Sequence, residues 1–295
     1  MIIQQGYVHP FVIRMTGTIL SSHFYLAQNF RRPICRWMSV RPPAKTALGS
    51  RKKVTIETLH ELRRSKTPIT VLTAYDYPSA LACSSSHLTD ITLVGDSLAQ
   101  VCLGYASTTQ LTLGEMVHHT RAAARGTTHP LLVVDMPFGS YHTSVDDAVS
   151  NAVRLVREGR AEAVKLEGGQ EIASVVKRLT EVGIPVMAHV GLLPQRHSAM
   201  SGYKVQGKSA EGANKIVTDA LALEEAGAFA IVVEAVPREL GRYVTDRLKV
   251  PTIGIGAGPW TSGQVWVLEI PDQVCNHNCF AGTGVRRRDG DMVWS

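Results

Sequence analysis

The first 56 residues contain no aspartate or glutamate, although the whole chain has 25 acidic residues. The same segment holds nine of the 31 basic residues, which leaves 22 basic against 25 acidic residues in the remainder, a net charge of −3. The formal charge of +6 is therefore a property of the N-terminal segment. Because nucleic-acid binding requires a basic face on the folded domain, the sequence argues against nucleic acid as a partner.

The acid-free segment is rich in arginine, hydroxyl and apolar residues. This composition is typical of a mitochondrial transit peptide, although a disordered basic extension would look similar. We therefore predict a mitochondrial protein with three parts. Residues 1–50 are the basic leader, residues 51–268 a single catalytic domain, and residues 269–295 a C-terminal tail.

Cysteines are few and long apolar runs are lacking. The chain has five cysteines, Cys35, Cys83, Cys102, Cys275 and Cys279. Their odd number and scattered positions argue against a disulfide framework and suit a reducing compartment. Cys275, His277 and Cys279 resemble half of a zinc site, but no matching second half accompanies them. No stretch reaches the roughly 18 apolar residues of a membrane span, so we expect a soluble protein without a membrane partner.

From about residue 54, short β-branched runs alternate with longer amphipathic stretches, a pattern typical of βαβ units around a parallel sheet. The runs are 69–74, 91–94, 131–134, 163–166, 186–188, 229–233 and 252–255, with a weaker eighth at 265–268. Seven or eight strands in this rhythm predict a (β/α)8 TIM barrel rather than an open sheet. Two long connections, 98–112 and 192–208, are rich in Gly, Ser and Thr and are expected to be active-site loops.

Charged residues follow most of these runs. They are Asp76, Asp96, Asp135, Lys165, Glu167, His189 and Glu234. The C-terminal ends of barrel strands converge on one face, where the active sites of this fold lie. Several carboxylates at one place repel one another unless a cation neutralises them. Oxygen ligands favour a hard ion, and Mg²⁺ takes one or two carboxylates while keeping positions for water or substrate. We therefore predict a magnesium site.

A magnesium ion with open positions can chelate a 2-oxo acid and acidify the C–H bond beside its ketone, so that a nearby base forms an enolate. Glu234 is the candidate base, with a third metal ligand or a partner for a basic residue as alternative interpretations. Lys165 and His189 are candidates for neutralising the developing oxyanion. A histidine satisfied within the core is the alternative interpretation of His189.

Six segments carry a resemblance to a known family. They are Thr73–Tyr77, Leu93–Leu98, His119–Ala122, Val164–Gly169, Gly202–Gly207 and Ile253–Gly258. Together they resemble the ketopantoate (3-methyl-2-oxobutanoate) hydroxymethyltransferase family, and the match runs in the family's order from about Thr55 to Val267. Six motifs in the correct order are highly specific.

The resemblance implies transfer of a one-carbon unit from 5,10-methylenetetrahydrofolate to 3-methyl-2-oxobutanoate, which gives 2-dehydropantoate on the route to pantothenate and coenzyme A. The partners would be these two small molecules, and the protein a homo-oligomer. The resemblance also implies a role for each site residue. Asp96 and Asp135 would bind Mg²⁺, and Glu167 would contact the ion directly or through water. Ser97 would bind the substrate carboxylate, Lys165 would bind the keto acid, His189 would line the pocket, and Glu234 would be the general base.

The chain departs from the family pattern at two places. Ser201 stands where the family has a glycine, and after Gln264 the expected eighth strand and helical tail give way to an unpatterned stretch that ends at Ser295. We therefore expect an altered or incomplete eighth β/α unit, with an open strand edge. Two other functions stay open: a related Mg²⁺-dependent lyase or mutase acting on a C–C bond of a 2-oxo acid, without folate, and a catalytically impaired isoform that acts only as a binding or assembly partner.

Overall fold

The computed structural model describes residues 51–200 and 202–267 and two further strands at 285–288 and 291–294. Eight parallel strands form a closed barrel in the order of the sequence, as the alternating pattern predicted. The strands are β1 Ile69–Thr73, β2 Ile91–Val94, β3 Leu131–Asp135, β4 Ala163–Glu167, β5 Val186–Gly191, β6 Ala230–Glu234, β7 Thr252–Ile255 and β8 Gly263–Trp266.

Helices connect the strands. They are α1 Ile56–Arg64, α2 Tyr77–Ser85, α3 Leu98–Val101, α4 Leu113–Gly126, α5 Val145–Arg157, α6 Ala173–Glu181, α7 Ala210–Glu225 and α8 Arg238–Arg247. Local sequence explains where they begin: at α4, Glu115 N donates to Thr112 Oγ1 (3.2 Å) and Thr112 N donates to Glu115 Oε2 (2.8 Å), a reciprocal cap. No helix among the described residues is long and apolar enough to cross a membrane.

The alternation of side chains along each strand determines what faces the barrel interior. Alternate residues of the strands, such as Val71, Val133, Met187 and Val232, are buried together in one apolar cluster. A second, larger cluster contains the intervening strand residues and the apolar faces of the helices. The apolar interior therefore ends where the inward positions become polar, near the C-terminal ends of the strands.

The eighth strand closes the barrel. It lies at Gly263–Trp266, two residues earlier than predicted, and pairs with β7 on one side and with β1 on the other. The expected open edge was therefore wrong, because Gly263 and Gln264 reach both neighbouring strands. Among the described residues no α-helix follows β8. A cavity of about 270 Å³ lies beside β1 and β8, with Leu62 and Trp266 among its lining residues.

The predicted tail contains a strand pair within its described part. Strands β9 Val285–Arg288 and β10 Asp291–Trp294 pair in antiparallel fashion, with Asp291 opposite Arg288 and Trp294 opposite Val285. The sequence had shown no helical periodicity in this stretch, and it gave no signal for these two strands. The Cys-His-Cys half-site, the basic leader and Ser201 lie outside the described residues.

Candidate active site

Strand register brings the predicted site residues together. Asp135 of β3 lies opposite Lys165 of β4, Glu167 of β4 lies opposite His189 of β5, and Gly191 of β5 lies opposite Glu234 of β6. Lys165 and Glu167 alternate with Leu166, so both point to the barrel interior. Four neighbouring strands, β3 to β6, therefore deliver a lysine, a histidine and three carboxylates to one place.

The charges form a chain across the barrel mouth. Lys165 Nζ lies 2.9 Å from Asp135 Oδ1 and 3.7 Å from Glu167 Oε1. His189 bridges the next two acids, with Nδ1 3.5 Å from Glu167 Oε1 and Nε2 3.2 Å from Glu234 Oε2. Because the side chain of Glu234 is 12% exposed while that of His189 is 2% exposed, Glu234 is the acid at the open end of this chain.

Asp96 joins the group through the backbone. Its N–H donates to Asp135 Oδ2 at 3.0 Å, and its side chain is buried directly after β2. Gly95 lies between these groups: a Cβ atom there would be 3.3 Å from Ser97 Oγ, a tight contact, and 3.6 Å from Asp135 Oδ2, an ordinary one. A side chain at Gly95 would therefore crowd the Ser97 hydroxyl.

Burial and mutual repulsion shift the proton affinities of the group. Burial, followed by the negative charges of Asp135 and Glu167, raises the pKa of Asp96 to about 8. Burial and Lys165 would lower the pKa of His189, but the adjacent carboxylates of Glu167 and Glu234 outweigh them and raise it to about 9. The imidazole is therefore cationic at neutral pH, with each ring N–H facing an acid.

Burial likewise disfavours the charged form of Lys165, yet the carboxylates of Asp135, Glu167 and Asp96 raise its pKa above the ordinary value. Burial would also raise the pKa of Glu167, but His189 and Lys165 together lower it. These two groups are therefore ionised through the neutral pH range. A buried, charged lysine within this cluster is suited to binding an anionic substrate.

The donor set can be tested against a divalent cation. Asp96, Asp135, Glu167 and Glu234 supply four acids against the two cations Lys165 and His189. With all four acids ionised the excess is two negative charges, and the raised pKa of Asp96 reflects this excess. Among the described residues, Asp135 Oδ1 and both ring nitrogens of His189 are buried without a well-aligned hydrogen bond. A hard dication fits the excess charge and the oxygen donors.

The same residues do not form a complete protein cage. No three His, Cys, Asp or Glu side chains within residues 51–200 and 202–267 are arranged as a set of metal ligands. Glu167 is also already engaged, since Gln195 N donates to its Oε2 at 3.0 Å. A site with two carboxylates, completed by water or substrate, is the arrangement that these residues can support, and it is the one that Mg²⁺ commonly adopts.

One acid at a strand end does not join the cluster. The side chain of Asp76 accepts from Ser79 N at 2.9 Å and begins helix α2. The sequence predicted that five carboxylates converge, and this was wrong for Asp76, because the other four form the cluster. Asp76 is the third residue after the end of β1, whereas Asp96 is the second residue after the end of β2. The side chain of Asp76 caps helix α2 and is exposed. Ser97 begins α3, and its side chain makes no capping hydrogen bond there.

Sequence reasoning missed two polar residues of the site. Gln195 is buried in the turn after β5, where its Nε2 donates to Asp96 Oδ2 (2.9 Å) and Met136 O (3.0 Å). Tyr141 is buried in the loop after β3, and its hydroxyl donates to Gln195 Oε1 at 2.7 Å. The only available signal was the position of Gln195 in the 192–208 stretch predicted as an active-site loop.

That loop also brings an aromatic side chain towards the site. Tyr203 is 46% exposed, and its ring stacks on His197 with the centroids 5.9 Å apart. Burial of the hydroxyl and the charges of Asp96, Glu234 and Glu167 raise the pKa of Tyr203. Because Gln195 of the same loop contacts Asp96, this loop lies beside the charged cluster, as the sequence predicted.

Comparison with known proteins places residues 53–274 within the family model described as ketopantoate hydroxymethyltransferase. The 3-methyl-2-oxobutanoate hydroxymethyltransferase of Emericella nidulans is 50% identical over 232 residues, which cover 79% of this chain and 66% of that protein. The enzyme of the same name from Moorella thermoacetica is 51% identical over 220 residues, which cover 75% of this chain and 81% of that protein. The predicted resemblance is thereby confirmed.

Solved structures share the fold at much lower identity. A phosphonopyruvate hydrolase solved with oxalate and Mg²⁺ matches with a TM-score of 0.55 and 16% identity, over 72% of this chain and 80% of that chain. A 2,3-dimethylmalate lyase, a member of the PEP mutase/isocitrate lyase superfamily, matches with a TM-score of 0.53 and 17% identity over the same shares. These matches support the barrel architecture.

Proposed function

Because this chain belongs to the ketopantoate hydroxymethyltransferase family, a family of enzymes, we propose that it transfers a hydroxymethyl group from 5,10-methylenetetrahydrofolate to 3-methyl-2-oxobutanoate. The product, 2-dehydropantoate, would feed pantothenate and coenzyme A synthesis. The observation that carries the proposal is the buried cluster of acids, lysine and histidine at the C-terminal ends of β2 to β6.

Asp96 and Asp135 would hold Mg²⁺ in this proposal, and Glu167 would act on it through water, because its Oε2 already accepts from Gln195 N. The bound ion would supply Lewis-acid polarisation of the substrate's keto group. Within the protein, Lys165 provides a fixed positive charge for the oxo acid. Ser97, next to Asp96, would donate its hydroxyl hydrogen to the substrate carboxylate.

Proton removal is assigned to Glu234. Its carboxylate is the most accessible acid of the charge chain, and its Oε2 lies 3.2 Å from His189 Nε2. A cationic His189 keeps Glu234 oriented and offsets its charge from the side away from solvent. Glu234 would therefore take the proton from C3 of the substrate and form the enolate. C3 of the enolate would then bond to the one-carbon unit as its bonds to the folate nitrogens break, with water supplying the hydroxyl oxygen and tetrahydrofolate leaving.

The first experiment is deuterium exchange at C3 of 3-methyl-2-oxobutanoate, followed by NMR with the full chain. Mg²⁺-dependent exchange, and production of ketopantoate once methylenetetrahydrofolate is added, is the expected result. Glu239→Gln, an exposed acid of α8 paired with Arg238, is a matched control for Glu234→Gln. No exchange by the folded protein would refute the proposal, whereas exchange without transfer from folate would favour a lyase or mutase.

The alternative of an impaired isoform rests on the C-terminal departure from the family. The pairing of β8 with both β7 and β1 supports an intact barrel, and among the described residues the charged cluster is built on strands β3 to β6. Both observations favour an active enzyme. Mg²⁺ binding with no exchange and no transfer would be the result that favours the impaired isoform.

We also propose import into mitochondria, on the basis of the absence of acids and the nine basic residues within residues 1–56. A fluorescent protein carrying residues 1–50 at its N-terminus should enter mitochondria, and a version with the arginines of that segment replaced by glutamine should remain in the cytosol. If neither fusion enters mitochondria, the proposal is contradicted. Self-association into a homo-oligomer stays a prediction, to be measured by light scattering.

A further inference from the structure

Gln195 connects more parts of the candidate site than any of the residues predicted from the sequence. Its side chain reaches Asp96 after β2 and the carbonyl of Met136 after β3, while its backbone N–H reaches Glu167 on β4. It is 3% exposed. One residue at the start of the loop after β5 therefore contacts the ends of three other strands.

The orientation of the Gln195 amide is determined by its partners. An amide group has two donors on nitrogen and an acceptor on oxygen, whereas the Met136 carbonyl can only accept. Nε2 must therefore face Met136 O, which also directs its second hydrogen to Asp96 Oδ2. The remaining Oε1 needs a donor, and the buried Tyr141 hydroxyl provides one at 2.7 Å. A flipped amide would place its oxygen against the Met136 carbonyl.

Tyr141 is itself held in place. Its hydroxyl accepts from Glu167 N at 3.3 Å and is 3.2 Å from Glu167 O. Its ring packs against that of His142, with centroids 4.1 Å apart. The hydroxyl thus links the backbone of one acid, Glu167, to the amide that holds another, Asp96.

We propose that Gln195 and Tyr141 are positioning residues for the divalent cation, through the orientation of the Asp96 carboxylate. This inference rests on the proposed function. A single hydrogen bond to Oδ2 restricts rotation of a carboxylate that is buried among other acids. The same glutamine holds Glu167 Oε2. Partners of this kind typically change metal affinity or activity by about 10–100-fold when they are removed.

Two variants test the proposal. Tyr141→Phe removes the donor that fixes the amide while it keeps the ring, and Gln195→Met removes the amide at similar side-chain length. The exposed residues Tyr243 and Gln170 provide matched controls, Tyr243→Phe and Gln170→Met. Mg²⁺ affinity is measured by calorimetry on the full chain, and C3 exchange is measured as a function of Mg²⁺ concentration. Near-UV circular dichroism verifies folding.

We expect the Mg²⁺ dissociation constant to rise about 10-fold or more in both site variants, with the exchange rate at saturating Mg²⁺ within about threefold of the unmodified protein. The controls should not change either value. Unchanged Mg²⁺ affinity in folded Tyr141→Phe would overturn the proposal, even if Gln195→Met fails to fold. A loss of rate that Mg²⁺ does not restore would also overturn it, because the residues would then act on the chemistry. An unmodified chain that does not bind Mg²⁺ would refute the proposed function itself.

Discussion

Replacement of Asp96 by asparagine should make the metal-free protein more stable, although it should remove Mg²⁺-dependent activity. Burial and the neighbouring acids raise the pKa of Asp96 from 3.8 to about 8. Between these pH values the folded protein keeps a proton that the unfolded chain releases. Because the pKa is raised in the folded state, the stability of the metal-free protein falls as the pH rises from about 4 to about 8.

The expected gain follows from this difference. A pH of 7 lies about three units above the pKa of the Asp96 carboxyl in the unfolded chain. Each unit is worth about 1.4 kcal/mol, so protonation of Asp96 on folding costs about 4 kcal/mol. Asparagine removes this cost and can still accept from Gln195 Nε2 through its amide oxygen. For a domain of this size, 1 kcal/mol shifts Tm by about 2–4 °C. A rise of roughly 10 °C is therefore expected.

The assay is thermal unfolding in the presence of a chelator at several pH values from 4 to 8. Asp76→Asn is the control, since asparagine replaces aspartate well as a helix cap and Asp76 lies outside the cluster. The advantage of Asp96→Asn should grow with pH, while the control should follow the unmodified protein. Equal pH profiles for Asp96→Asn and the unmodified protein would refute the electrostatic reasoning. Excess Mg²⁺ should stabilise the unmodified protein by about 2.7 kcal/mol at 100 times its Kd and the variant much less.

Three further predictions concern the same pocket. Lys165→Met leaves Asp135 and Glu167 without their buried cation and should lower the free energy of unfolding by about 3–5 kcal/mol in urea denaturation; a stability equal to the unmodified protein would contradict the ion-pair assignment. Glu234→Gln should slow C3 exchange about 10²–10⁴-fold with unchanged substrate affinity, and unchanged exchange would exclude it as the base. Gly191→Ala places a Cβ 2.3 Å from Glu234 O at a φ of +96°, so it should cost about 1–3 kcal/mol and reduce exchange; normal values for both would refute this positioning of Glu234.

The barrel could be predicted because its signal is local and repeated. Each short apolar run, such as Leu131–Val134 before Asp135, is continuous and has the length of a buried parallel strand. The eighth run was harder to locate, because Gly263 and Gln264 lack the β-branched character of the other strands. Their place in the sheet comes from pairing with β7 and β1, a nonlocal contact.

The candidate site was predictable to the extent that strand ends converge in a barrel. This rule alone places Asp96, Asp135, Lys165 and Glu167 at one mouth. It could not separate Asp76, whose side chain begins a helix, from the acids that share the pocket. The choice between these two uses of an aspartate depends on the direction of the chain after the strand, which composition and spacing do not reveal.

By itself, the sequence determined the eight-stranded architecture, the family and the residues at the strand ends. Only the tertiary structure decided how those residues are connected: His189 lies between Glu167 and Glu234, and Gln195 holds Asp96 from a position 99 residues later in the chain. The physical reason is that the hydrophobic pattern of a strand or helix depends on residues that are neighbours in the sequence. The partner of a buried polar group depends instead on strand register and on the course of the loops, which bring together residues that are distant in the sequence.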